Sequence, residues 1–219
     1  MDSRVSRNDC IPVVSDGLEQ LALEEIARRV RLNTPPRVLD MPCGEGSRAV
    51  AMARLGADVL AVDVPPLEGS VRGRALVAGV ADHVRFFSTL KIGVALLEAL
   101  PEGVFDLVFC HYGIHPLPYG EAAQTLRGLL KRLRIGGKLF VSAYGLHSDL
   151  GEAYADADKP VAERYCRLTP ARARSYNLPG SVCLYTERDL VNLLIHIGGG
   201  VLRTFTSTHG AVKGIAVRI

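Results

Sequence analysis

Arg37-Val38-Leu39-Asp40-Met41-Pro42-Cys43-Gly44-Glu45-Gly46-Ser47-Arg48-Ala49-Val50-Ala51 is the stretch on which the reading of this chain turns. An apolar run, short enough for a buried parallel strand, ends in an acid, passes through a Gly-x-Gly turn and enters an Ala/Val-rich segment at helical spacing. That is a nucleotide-binding strand, turn and helix. Glycine is needed in such a turn because the backbone must bend sharply and let a ligand lie where a Cβ would intrude. Gly44 to Ala49 also satisfies the loose Gly-x-Gly-x-x-Gly/Ala dinucleotide pattern, so the turn alone does not choose the cofactor.

Its surroundings resemble motif I of the class I S-adenosyl-L-methionine (SAM) methyltransferases, Val-Leu-Asp-Leu-Gly-Cys-Gly-x-Gly. Val38, Leu39, Asp40, Cys43, Gly44 and Gly46 match, and Pro42 stands where the first glycine usually does. The resemblance implies that Asp40 lies close to the amino group of the methionine moiety and that the glycines admit methionine and ribose. Proline fixes φ and has no N–H, so a cofactor contact through that N–H is absent here.

Working outward, Leu18, Ala22, Ile26 and Val30 fall on one face of a helix over 17–32, opened by an Asp16/Glu19 capping box and ended by Asn33-Thr34-Pro35-Pro36. Residues 1–15 are polar and irregular. Ser47 to Leu55 is the first crossover helix, and Asp58 to Asp63 the second strand. Asp63 lies nineteen residues beyond Gly44 at a strand's carboxyl end, where an acid can accept both ribose hydroxyls. The alternative for Asp63 is an exposed turn carboxylate. Pro65-Pro66 displaces the helix that follows to about Gly69–Val80.

His83 to Phe87 is the third strand, and Lys91 to Leu100 a short helix. Many relatives carry an adenine-binding acid just beyond the third strand, where this chain has Ser88 and Thr89. The resemblance thus marks Asp40, Pro42, Cys43, Gly44, Gly46, Asp63, Val64, Ser88, Thr89 and Cys110 as cofactor positions.

Phe105 to His115 looks like the family's fourth strand, whose carboxyl end faces the transferable methyl. His111, Tyr112 and His115 therefore sit where an acceptor is positioned or deprotonated, although a lone histidine is more often structural. Leu126, Leu129, Leu130 and Leu133 stripe a helix over Glu121–Arg134 that Gly136-Gly137 is expected to end, and Lys138 to Tyr144 is the fifth strand. With His111, His115 and Tyr144 as candidate catalytic groups, His147 is a further group at a strand end. There is no Asn/Asp-Pro-Pro-Tyr motif, which argues against nucleobase and glutamine amino acceptors.

Between Gly145 and Tyr185 the core pattern lapses into Tyr154, Arg164, Tyr165, Arg167, Arg172, Arg174 and Tyr176, with a short helical piece at Pro160–Cys166. A connection of that length is usually functional or disordered. In the family this segment forms acceptor pocket and lid, where aromatics could wall the site and arginines hold a carboxylate or phosphate. A solvated basic surface is the plainer reading of the arginines. Thr186 and Asp189 make another capping box, and two runs flanking His209-Gly210 read as a terminal hairpin.

These features point to an α/β fold, and the resemblance implies a Rossmann-like, seven-stranded, mostly parallel sheet of order 3-2-1-4-5-7-6, with helices on both faces and a C-terminal antiparallel hairpin. The hairpin favours SAM over NAD. At 219 residues and 48% hydrophobic, 1–219 fits one domain, with 1–34 as arm and helix and 145–185 as insertion. A formal charge of +3, mixed along the sequence, gives no strong reason to expect a nucleic-acid or membrane partner. No run nears the roughly 18 apolar residues of a spanning helix, no signal pattern opens the chain, and five scattered cysteines without Cys-x-x-Cys suggest reduced thiols and no metal site. The expectation is a cytoplasmic monomer or homodimer that methylates a small molecule. An inactive SAM-binding or partner protein, an RNA or protein methyltransferase, and an NAD-binding domain are the rivals.

Overall fold

The computed structural model describes residues 17–219 apart from Lys91 and Glu102. The polar segment 1–15, the Asp16 half of the first capping box and Cys10 lie outside the described residues. After α1 (Gly17–Arg31), the chain runs β1 (Arg37–Met41), α2 (Ser47–Arg54), β2 (Asp58–Asp63), α3 (Glu68–Val77), β3 (Val84–Ser88), α4 (Val94–Ala99), β4 (Phe105–His111), α5 (Tyr119–Lys131) and β5 (Leu133–Ala143). The segment 145–185 holds β6 (Cys166–Arg167), α6 (Pro170–Ser175) and β7 (Ser181–Val182). It is followed by α7 (Glu187–His196), β8 (Gly199–Thr206) and β9 (Val212–Arg218).

Seven strands form one sheet in the order β3-β2-β1-β4-β5-β9-β8. Strands β3 to β5 are parallel, and β9 returns antiparallel between β5 and β8. Counting β8 and β9 as sixth and seventh of this sheet, the order is the expected 3-2-1-4-5-7-6. Successive side chains of a strand face opposite ways, so each central strand feeds two cores. Val38, Val59, Leu107 and Phe140 pack with α1, α2 and α3, whereas Leu39, Leu60, Val108 and Leu139 pack with α4, α5 and α7.

Three local expectations are corrected. Gly136-Gly137 does not end α5. The helix stops at Lys131, and β5 begins at Leu133 opposite Phe105, then bulges before pairing Lys138 with Leu107. A Cβ on Gly137 would lie 2.8 Å from the Arg134 oxygen and 3.1 Å from the Asp106 oxygen, so the glycine permits a close backbone approach within the bulge. Pro160–Cys166 is not helical beyond a 3-10 turn at Val161–Glu163. The helix of this segment is α6, opened by a Thr169 N-cap and by Pro170 at the first helical position. The Pro65-Pro66 step is itself a 3-10 turn leading directly into α3, which starts at Glu68 and stops at Val77.

Charge fixes α1 to the sheet. Buried Glu25 accepts from Arg28 (2.7 Å), Arg29 (2.8 Å) and, across to β5, Lys138 (2.9 Å). Burial alone would raise its pKa, but the hydrogen bonds from Arg28, Lys138 and Arg29 outweigh that and hold it near 2. Arg29 reaches on to Asp106, whose other oxygen accepts from the Arg37 N–H. Glu25→Gln removes the partner of three cations, and urea unfolding at pH 7 is expected to show a loss of about 3 kcal/mol. The native Glu25 contribution is present above about pH 4.5 and is lost as pH falls toward 2, so the gap between wild type and variant should close in acid.

Candidate active site

The carboxyl ends of β1 and β2 meet through Asp63. One carboxylate oxygen accepts from the Gly44 N–H at 2.7 Å and the other from the Val64 N–H at 2.8 Å. Asp63 is 9% exposed and is not a free turn carboxylate. Gly44 takes φ +57° and Gly46 φ +85°, conformations that side chains rarely adopt. A Cβ on Gly46 would press on Val71 of α3 at 3.1 Å, whereas one on Gly44 would meet nothing within 4 Å. Gly46 thus serves packing, and Gly44 leaves an open backbone face.

Met41-Pro42 is a cis peptide. Beneath the turn, Asp40 is fully buried and paired with a residue that sequence reading passed over. Arg48 donates from Nε to Asp40 Oδ1 at 2.8 Å and from Nη2 to the Pro42 carbonyl at 2.7 Å, and lies 4.8 Å from the centre of the Phe109 ring. Asp40 Oδ2 is buried without a partner. Burial pushes the Asp40 pKa up to about 6, with Arg48 countering only part of the effect. A signal was available, since a cation in the first turn of a helix opposes the helix dipole and requires a local reason.

Cys43 sits in the turn and Cys110 beside Met41 near the end of β4. Burial drives both thiols to about 12, so they act as apolar filling. At the edge of the sheet Ser88 is exposed, Val64 is 38% exposed, and the Thr89 N–H bonds to the Asp63 carbonyl at 2.9 Å.

The predicted acceptor residues come together beyond β4 and β5. Tyr112, at φ +52°, stacks on Tyr144 with ring centres 4.5 Å apart, and His111 lies edge-on to Tyr112 at 4.4 Å. His115 meets Tyr144 edge-on at 4.7 Å, and Tyr176 of the 145–185 segment closes against Tyr144 at 5.9 Å. His111 Nδ1 is 2.9 Å from the hydroxyl of Ser142, a buried neighbour on β5 that sequence reading did not single out. His115 is 4% exposed, and its ring lies against the Tyr112 backbone without a well-formed hydrogen bond at either nitrogen. Burial lowers its pKa to about 4, so the ring is neutral near pH 7. Tyr144 is shifted the other way, its pKa raised by burial and then by Tyr176. His147 is exposed and outside the cluster.

The arginines of 145–185 divide. Arg164 is buried and bonded to the Leu184 and Lys159 carbonyls and to Asp189 of the α7 cap, so it holds structure together. Arg172 pairs with Glu152, and Arg167 and Arg174 are exposed. Among the described residues no helix is long and apolar enough to cross a membrane, and no group of three or more His, Cys, Asp or Glu is arranged to hold a metal.

A family model described as a methyltransferase domain matches residues 14–199. The chain belongs to that family, one of the class I SAM-dependent methyltransferases. A ubiquinone biosynthesis O-methyltransferase of Xanthomonas euvesicatoria is 36% identical to this chain over 126 residues, 57% of this chain and 49% of that protein. The chain spans about half the length of the curated relatives it matches. An O-methyltransferase family protein from Burkholderia thailandensis shares the fold at a TM-score of 0.65 and 16% identity, over 92% of this chain and 56% of the other. A magnesium protoporphyrin IX methyltransferase from Synechocystis PCC 6803, solved with bound SAH, superposes at 0.62 with 21% identity, over 93% of this chain and 84% of that one.

The buried histidine gives the domain a measurable pH response. His115 takes up a proton near 6.5 when unfolded and near 4 when folded, so the unfolded state binds more protons between these values and stability falls as pH is lowered through them. Asp40, raised to about 6, works in the opposite direction, so the comparison must be against a His115 variant. In urea unfolding at pH 7.5 and pH 4, His115→Phe should gain about 3 kcal/mol on wild type as pH falls.

Proposed function

We propose that this methyltransferase domain binds SAM across the carboxyl ends of β1, β2 and β3 and moves its methyl to a hydroxyl oxygen of a small-molecule acceptor held by His111, Tyr112, His115 and Tyr144. The observation that carries the acceptor side is buried, neutral His115, set among the rings of Tyr112 and Tyr144 beyond β4. The O-methyltransferase names of the curated relatives support oxygen as the methylated atom.

The residues present fit the cofactor. Gly44 leaves an open backbone face, Asp63 carries acceptor lone pairs for ribose hydroxyls, and Asp40 Oδ2 lacks a partner as a site for an ammonium. Ser88 and Thr89 would border the adenine. When bound, SAM supplies a methyl already activated on a sulfonium, so the protein's share is alignment of the acceptor and exclusion of water.

Tyr144 stays protonated and donates a hydrogen bond, while neutral His115 accepts the acceptor's O–H and draws on its proton as the oxygen attacks. Residues 145–185 form the lid, with Tyr176 resting on Tyr144 and Tyr165 tied to the Pro116 carbonyl at 2.9 Å. Pro42 without an N–H, and Ser88 in place of an acid, favour a second reading in which the domain binds SAM weakly and no longer transfers methyl.

Calorimetric titration with SAM and SAH separates these readings. On the enzyme reading SAH binds with micromolar affinity, and Asp63→Ala weakens it at least about tenfold, since two turn N–H groups lose their acceptor along with the ribose contact. His115→Phe should leave SAH affinity intact and lower turnover of phenolic acceptors about 100-fold. Absence of SAH binding by the wild-type chain would remove the SAM reading.

A further inference from the structure

Arg48 has no part in the mechanism above, yet it occupies the point where the order of the sheet reverses. From β1 the chain continues to β2 on one side, while β4 pairs with β1 on the other. The crevice outside the carboxyl ends of two such strands is where open α/β sheets take ligands. Asp40 and Pro42 hold the guanidinium on the β1 side and the Phe109 ring supports it on the β4 side, and the side chain is 11% exposed.

The bonding of the pair is incomplete in a specific way. Arg48 Nε and Nη2 are committed to Asp40 and the Pro42 carbonyl, whereas neither N–H of Nη1 has a partner among the described residues. Asp40 Oδ2 is a buried acceptor equally without a partner. An ion pair with spare donors on its cation and a spare acceptor on its anion matches a ligand carrying both charges side by side. A simple anion would face Asp40, a simple cation would face Arg48, and an apolar group would satisfy neither. An α-amino acid terminus, ammonium beside carboxylate, satisfies both.

Resting on the SAM reading of this site, we infer that Arg48 holds the carboxylate of the cofactor's methionine moiety while Asp40 takes its ammonium. Arg48 thereby supplies a charged donor at the turn where Pro42 has no N–H. The planar guanidinium is pre-oriented by its bonds to Asp40 and Pro42, so little freedom is lost on binding.

The test is a cycle between ligand and side chain, read by titration calorimetry. Wild type, Arg48→Gln and Arg48→Lys are each titrated with SAH and with decarboxylated SAH, which keeps the ammonium and lacks only the carboxylate. Wild type should favour SAH by about 10- to 100-fold, the range of a charge-assisted hydrogen bond. In Arg48→Gln the ratio should shrink to within about threefold of unity. Arg48→Lys, which keeps Asp40 paired and so guards against misfolding of the glutamine variant, should retain only part of the preference. An SAH preference as large in the variants as in wild type overturns the inference, as does a wild type indifferent to the carboxylate. A wild type that binds neither ligand removes the SAM reading itself, which distinguishes the two failures.

Discussion

The bridge from the Asp63 carboxylate to the Gly44 and Val64 N–H groups is the constraint on which this site depends. A turn that offers its backbone to a ligand cannot be stabilised by side chains stacked over it, because they would occupy the ligand's place. Asp63 solves this from below and beside, satisfying two N–H groups while the left-handed Gly44 keeps its outer face open. The neighbouring Cys43 N–H to Val62 carbonyl bond, at 3.0 Å, ties the turn to the same strand end. Parallel pairing of β1 and β2 then places the acid at the turn without further help.

Buried polar groups separate into two sets. Glu25, Asp106 and Arg164 are each multiply bonded and link elements distant in sequence: α1 to β5, β1 to β4, and the 145–185 segment to α7. Asp40 Oδ2 is buried without a partner and His115 is buried among aromatic rings beside the Tyr112 backbone, and both residues lie at or beyond the carboxyl edge of the central strands. An unpartnered buried polar atom is costly and rare; Asp40 Oδ2 is one at this edge, and Arg164 Nε is another, inside the 145–185 segment.

The 145–185 segment owes its shape to a small core of its own. Leu150, Tyr154, Leu168, Val182 and Leu184 bury one another, with Tyr144 and Tyr176 packed against them. Main-chain bonds from Cys183 to the His115 carbonyl (2.8 Å) and from Tyr185 to the Tyr144 carbonyl (3.1 Å) dock this unit on the very residues proposed to meet the acceptor. Its arginines therefore serve different ends, and only their surroundings tell them apart.

The sequence by itself determined what local patterns encode: the β1 turn with its two glycines, Asp63 at the end of β2, the leucine stripe of α5, the Thr186/Asp189 cap and the terminal hairpin. Each is carried by residues within a few positions of one another, and the order of the strands came with the family that these patterns resemble. Tertiary structure alone decided the rest. Gly136-Gly137 reads locally as a helix stop, but pairing with β4 draws it into a bulge. Arg164 reads as a basic surface residue until the fold surrounds it with carbonyls and Asp189, and Arg48 reads as an ordinary helix residue until Asp40 lies beneath it. His115 becomes a buried, neutral group only when Tyr112 and Tyr144 enclose it. Burial and the identity of the partner are properties of residues brought together from afar, and no local spacing carries them.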